Sequence, residues 1–194
     1  MNYIKEEILS HQAVVKKILD EMVDDIQKAS QKVVNTIKSG NKIILCGNGG
    51  SAGDAQHISA EFIGRFKSER EALPAIALTT DTSALTAIAN DYGYDRVFSR
   101  QLQALGREGD LLIAISTSGN SQNILEAIYL AKNMKIEVIA LTGKDGGKMK
   151  NISDLTIVVP SEDTARIQEM HIMIGHIFCM EVDRAFPASS QKLG

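Results

Sequence analysis

Residues 42–65 read KIILCGNGGSAGDAQHISAEFIGR. Ile43 to Cys46 is a short apolar run of the kind a buried strand makes. Gly47-Asn48-Gly49-Gly50 is too rich in glycine for ordinary helix or strand, so the chain turns there. Ser51, with Asp54 three residues on, gives a capping-box-like helix start, although Asp is a weaker third-position partner than Glu or Gln. Strand, glycine turn and helix N-terminus present unpaired backbone N–H groups and the positive end of a helix dipole above the sheet, a natural seat for phosphate or another anion. One turn further on, His57 and Glu61 are four residues apart and share a helix face, roughly 6 Å apart along the axis. Elsewhere such a pair would read as an ordinary amphipathic-helix contact. Its position directly after the glycine turn makes it a candidate for chemistry.

Outward from this stretch, strands alternate with helices. Pro74 to Leu78, Leu111 to Ile115, Glu137 to Leu141 and Leu155 to Val159 are further apolar runs. Helices are expected from Asp81 or Thr82 toward Asn90-Asp91, over Val97 to Leu105, after Ser121, and from about Thr164 to about Phe186, where Pro187 and a polar tail end the last one. Continuous apolar strands separated by helices predict an α/β fold: a three-layer sandwich around a five-stranded parallel sheet. The segment 65–71 is charged and expected to be exposed. At the other end, Ile4, Ile8, Val15, Ile18, Met22, Ile26, Val33 and Ile37 keep a three-to-four spacing through residues 3–39, a long helix broken at most once. Its apolar face fits either the chain's own sheet or a second subunit.

The 194 residues fit one domain, 1–194, with a helical extension over about 1–39 and an α/β core over about 40–194. A net charge of -3 and the lack of a long basic run argue against broad nucleic-acid binding. The N-terminus has no signal-peptide apolar core, and no apolar stretch approaches a membrane span. Cys46 and Cys179 sit in apolar surroundings without a metal-type spacing and read as reduced core residues of a cytoplasmic protein.

Two strand ends carry polar loops. Ser116, Thr117, Ser118 and Ser121 place four hydroxyls at one strand-to-helix junction, suited to a phosphate monoester, where a single such residue would only be a helix cap. Neither loop is a P-loop or a dinucleotide fingerprint. On the last helix, Gln168 and His176 could join His57 and Glu61 in a nitrogen/oxygen metal site, for which zinc is suited although glutamine is an unusual ligand. Two turns separate Gln168 from His176, about 80° around the helix and roughly 12 Å along it. That separation strains a site built from one chain and relaxes if two subunits contribute. His171 points elsewhere and reads as structural; Met170, Met173 and Met180 read as core filling.

The motifs CGNGGSAGDAQH, ANDYGY, ISTSGNS, ALTGKDGG and ARIQEMH, in this order, resemble the sugar isomerase (SIS) domain family and, within it, the phosphoheptose isomerases, over nearly the whole chain. The resemblance implies a flavodoxin-like SIS fold and a cytoplasmic homotetramer with active sites at subunit interfaces. It implies conversion of sedoheptulose 7-phosphate to glycero-manno-heptose 7-phosphate on the way to lipopolysaccharide core heptose. Carried over by motif, Asn48, Gly49, Gly50, Ser51, Glu61, Asn90, Asp91, Ser116, Thr117, Ser118, Ser121 and Gln168 would contact substrate. His57, Glu61, Gln168 and His176 would hold one Zn2+ per subunit, and Glu61 and His176 would be the acid/base pair. Ala165 departs from the acidic residue some members carry there. A sister group that binds the bacterial replication initiator, and is not thought to be an enzyme, is similar too. It lacks the counterparts of Glu61 and His176, which this chain has.

Overall fold

The computed structural model describes residues 2–187; the polar tail expected beyond Pro187 lies outside the described residues. Five strands, β1 (Ile43–Gly47), β2 (Ala75–Ala77), β3 (Leu111–Ile115), β4 (Glu137–Gly143) and β5 (Leu155–Val159), form one parallel sheet in the order β2-β1-β3-β4-β5. Eight helices accompany it: α1 (Tyr3–Glu21), α2 (Val23–Lys38), α3 (Gly50–Ile63), α4 (Thr82–Tyr92), α5 (Val97–Leu105), α6 (Gln122–Asn133), α7 (Met149–Ile152) and α8 (Thr164–Ala185). The predicted α/β sandwich is the observed fold.

The strands alternate in which face they serve. Ile43, Leu45, Leu111, Ile113, Ile139, Leu141 and Ile157 pack under α2, α3 and α8. Ile44, Cys46, Leu112, Ala114, Val138 and Ala140 pack against α5 and α6. Both faces are covered, so the strands read as unbroken apolar runs. This strand order reverses direction between β1 and β3, and the crevice outside their carboxyl ends is where such folds bind ligands. The two polar loops leave from those strands.

The N-terminal helix breaks once, at Met22, as the sequence allowed. Its two halves differ. In α2, Ile26, Ala29, Val33, Val34 and Ile37 are buried on the sheet side. In α1 only Val14 and Ile18 are, while Ile4 stays 74% and Ile8 62% exposed.

Two local expectations are corrected. Ser51 does not cap α3. The helix begins a residue earlier, at Gly50, with Gly49 at its N-cap in a left-handed conformation (φ 56°) that a side chain would strain. Ser51 is therefore buried within the first turn, and no capping box forms. The segment 65–71 is not exposed throughout, because Arg70 turns into the interior.

Candidate functional site

The glycine turn after β1 and the serine loop after β3 lie side by side and are joined by a reciprocal amide pair. Asn48 donates through Nδ2 to Asn123 Oδ1, and Asn123 donates through Nδ2 to Asn48 Oδ1, both at 2.9 Å. The hydroxyl of Tyr94, from the 3-10 turn Tyr94–Arg96, donates to the same Asn48 oxygen at 3.2 Å. Three of the four hydrogen-bonding positions on the Asn48 amide are thus taken, which leaves one N–H for a ligand. Neither Asn123 nor Tyr94 was singled out from sequence. Asn123 had a signal, as an amide in the first turn of a helix whose start carries the serine loop. Tyr94 had only its place in the ANDYGY motif.

In the serine loop, Ser116 Oγ lies 3.0 Å from Ser121 Oγ and 3.5 Å from Ser118 Oγ. Ser121 is the N-cap of α6 but spends no side-chain hydrogen bond on the helix; its hydroxyl pairs with Ser116, and the first-turn amides of Gln122 and Asn123 lie outside the helix's own ladder. Thr117 is half-buried in the same turn. The loop is fixed from behind: Met149 N donates to Gly119 O at 3.1 Å and Lys148 N to Asn120 Oδ1 at 3.1 Å.

Further along α3, which starts at the glycine turn, α3 and α8 bring His57, Glu61 and His176 together. His57 Nε2 is 3.1 Å from Glu61 Oε1 and 3.3 Å from His176 Nε2, and one ligand atom from each residue falls within 4.8 Å of the others. Two ring nitrogens that face each other at that distance have between them either a shared proton or a cation. The set of two imidazoles and a carboxylate suits a divalent transition metal. Burial lowers the pKa of His176, with the neighbouring His57 and Lys67 adding to the effect and Glu61 opposing it, so the ring is held in the neutral, ligand-competent form. Phe66 stacks on the other side of this ring, centroids 5.3 Å apart and planes 20° apart. Asp54, one turn before His57, has a carboxyl pushed up to about 6 by burial, against the opposing influence of His57, and its Oδ2 is buried without a partner.

Gln168 sits at the start of α8, and its amide rests on the glycine turn: a methyl group at Gly50 would lie 2.6 Å from Gln168 Nε2. A side chain at Gly50 would thus have to displace the Gln168 amide. Asn90 and Asp91 are near the end of α4, exposed, with Asn90 Nδ2 donating to Asp91 Oδ1 at 2.8 Å. Beyond this bond to each other, neither side chain hydrogen-bonds a candidate site residue among the described residues. His171 is fully buried and donates to Thr142 O at 3.1 Å. Met170 is core; Met173 and Met180 are half-buried and, with Phe66 and His176, line a cavity of about 290 Å³ beside the three metal-type ligands.

The SIS domain profile matches residues 8–143. A phosphoheptose isomerase of Aliarcobacter butzleri is 58% identical over 180 residues, 93% of this chain and 95% of the relative. Among solved structures, a phosphoheptose isomerase from Neisseria gonorrhoeae is 45% identical with a TM-score of 0.89, covering 94% of this chain and 97% of that one. One from Francisella tularensis is 38% identical with a TM-score of 0.92 over the same shares. With the fold, the loop pair at the strand switch and these likenesses in agreement, the chain belongs to the SIS domain family and, within it, to the phosphoheptose isomerases.

Proposed function

We propose that this phosphosugar isomerase converts D-sedoheptulose 7-phosphate into D-glycero-D-manno-heptose 7-phosphate, the first step toward ADP-heptose and lipopolysaccharide core heptose. The observation that carries the reading is the convergence of His57, Glu61 and His176, the first two on the helix that starts at the glycine turn. Ser51, Ser116, Thr117, Ser118 and Ser121, with the amides of the two helix N-termini, would seat the phosphate. Asn48, Gly49, Gly50, Asn90, Asp91 and Gln168 would meet the sugar. Presence of both Glu61 and His176 favours an enzyme over a module that binds the replication initiator.

An aldose–ketose isomerisation moves a proton between neighbouring carbons through an enediolate. Glu61 would take that proton and return it, and His176 would serve the oxygens and ring opening. The ligand spacing supports zinc. Tetrahedral ligands about 2.0–2.1 Å from the ion are roughly 3.3 Å from one another, and the observed 3.1 and 3.3 Å fit that figure. His57, Glu61, Gln168 and His176 would hold one zinc per subunit. The ion, when bound, would polarise the sugar carbonyl or hold these groups in place. A ligand carboxylate is a weaker base, so the two roles compete at Glu61. We also read the chain as one unit and as a cytoplasmic homotetramer with sites at subunit contacts, a reading supported by the exposed apolar residues of α1 and by two buried, unpaired cysteines. Among the described residues no helix is long and apolar enough to cross a membrane.

The test is to incubate the purified protein with sedoheptulose 7-phosphate and follow the aldose by NMR, for the wild type and for Glu61→Gln. Turnover in the variant should fall about a hundredfold or more, as for loss of a general base, while affinity for the sugar phosphate persists. Near-normal turnover in the variant would move the base role to His176 or His57. An inactive wild type that binds the replication initiator tightly would overturn the enzyme reading.

A further inference from the structure

Between α3 and β2 the chain crosses from Gly64 to Pro74 without helix or strand. This strap carries Arg65 and Glu69 on its outside, but Arg70 points inward to Asp183 on α8. The guanidinium Nε donates to Asp183 Oδ1 at 2.8 Å, and the two side chains are 1% and 4% exposed. Among the described residues it is the ion pair with both partners buried.

Each partner does more than neutralise the other. Arg70 Nη2 donates to Glu61 O at 2.7 Å, and Nη1 donates to Phe62 O at 2.8 Å and Glu71 O at 3.0 Å. The carbonyls of Glu61 and Phe62 are among those that the end of a helix leaves without intrahelical partners, so Arg70 caps the C-terminus of α3 at the residue whose side chain faces the two histidines. Asp183 Oδ2 accepts from Lys67 N at 2.8 Å and Ser68 N at 2.9 Å, which anchors the strap on the other side. Burial pushes the Asp183 carboxyl up, but the Ser68 and Lys67 amides and the Arg70 guanidinium together outweigh it and hold the carboxyl below its ordinary value. Asp183 lies seven residues after His176, on the same face of α8. Anchoring Lys67 and Ser68 there delivers the preceding residue, Phe66, onto the His176 ring.

We propose that Arg70 and Asp183 are positioning residues of the isomerase. They tie the end of α3 to α8, and so fix Glu61 against His176, while the strap they hold lays Phe66 on the histidine ring. The inference rests on the reading of Glu61 and His176 as the working pair. Misplacement of reacting groups by about 1 Å can cost about a hundredfold in rate even when the change is remote. A pair that only stabilised the fold would lower the melting temperature and leave the folded protein's chemistry alone.

The test uses full-length Asp183→Asn, Arg70→Lys and Phe66→Leu. Each is measured below its melting temperature for kcat, for KM, and for Zn2+ affinity by competition with a chelating dye. Phe66→Leu leaves the ion pair in place, so it decides the matter if the charge variants do not fold. The expected result is a kcat lowered about tenfold to a hundredfold in Asp183→Asn and Phe66→Leu, with KM changed less than about threefold. Zn2+ affinity should fall about tenfold or more, the usual effect of disturbing groups behind the ligands. Arg70→Lys keeps the charge and loses the fork, so it should fall between wild type and Asp183→Asn. Folded variants with kcat and Zn2+ affinity within about twofold of wild type would overturn the proposal. If the wild type lacks isomerase activity but binds Zn2+, the function reading fails and the Zn2+ arm still judges the clasp. If the wild type neither turns over substrate nor binds Zn2+, both readings fall.

Discussion

At the residue scale, His171 shows how burial alone sets a titration. It lies one turn past Gln168 on α8, fully buried, with Nε2 donating to Thr142 O and Nδ1 without a partner. Burial lowers its pKa to about 4, and the Thr142 hydrogen bond opposes this only in part. The unfolded chain, with an ordinary value of 6.5, takes up the proton first as the pH falls. The fold therefore has the full benefit of a neutral His171 above about pH 6.5 and loses it progressively toward pH 4, a loss on the order of 3 kcal/mol. Asp54 runs the other way: with its carboxyl raised to about 6, its ionisation weakens the fold as pH rises from 3.8. The clean measurement is thus a difference. His171→Gln should remove the acid loss that His171 causes, so the unfolding free energy of the variant minus that of the wild type should climb by on the order of 3 kcal/mol as the pH falls from 6.5 to 4, whatever the substitution does to stability at pH 8. Parallel curves would place the proton uptake elsewhere. The depressed Asp183 carboxyl adds its own acid loss only below about 3.8, outside this window.

At the scale of elements, the metal-type cluster depends on how closely α3 and α8 approach. Gly175 makes that approach: a methyl group there would collide with Ile58 Cδ1 and stand 2.6 Å from Ile58 Cγ1. Ile58 follows His57 and Gly175 precedes His176, so the contact sets how closely the two helices approach beside the cluster. Gly175→Ala should gain up to about 1 kcal/mol of helix propensity and lose roughly 1–3 kcal/mol to overpacking. Net destabilisation in urea, with weakened zinc binding, is the expected result. Adding Ile58→Val, which removes a methyl at the collision, should restore much of both. A more stable Gly175→Ala with unchanged zinc affinity would show that the helices have room to spare. The loop pair works by the same logic: Asn48 and Asn123 fix the glycine turn against the start of α6.

At the scale of the molecule, α1 is only half accommodated. Tyr3, Ile4, Ile8, Leu9 and Leu19 stay exposed, and a groove of about 460 Å³ runs between α1, α2 and α8, lined by Val15, Ile18, Ile26, Met173 and Ile177. Exposed apolar area of this kind marks an interaction surface. Besides the buried Val14 and Ile18, polar contacts tie α1 to its own chain: Arg166 donates to Glu7 O and Oε2 and to Glu169 Oε1, and His11 Nδ1 pairs with Glu169 Oε2 at 2.8 Å. Light scattering should give the mass of a tetramer for the wild type. Ile8→Glu, on the exposed face, should lower that mass while leaving the circular dichroism spectrum intact, and should reduce turnover if subunits share the site. A fully active wild-type monomer would sink the assembly reading.

The sandwich was legible because burial on both faces leaves a one-dimensional trace. Five apolar runs punctuated by glycine and polar turns have few other folds open to them, and the β1 and β3 loops follow in place. His57 and Glu61 were legible as a pair because helix geometry is local. The start of α3 was misread because a glycine can serve as an N-cap as well as a serine, and only the packed backbone chooses between them. Arg70 was misread for a related reason. Next to Arg65, Lys67, Glu69 and Glu71 it looks like one more solvated charge, and its partner Asp183 is 113 residues away on another helix. The meeting of His176 with His57, the Asn48–Asn123 latch and the Gly175–Ile58 contact are likewise decided by how helices far apart in sequence pack over one sheet. Local propensity and periodicity settle which elements form; the distances that make a site out of them exist only after the core has closed.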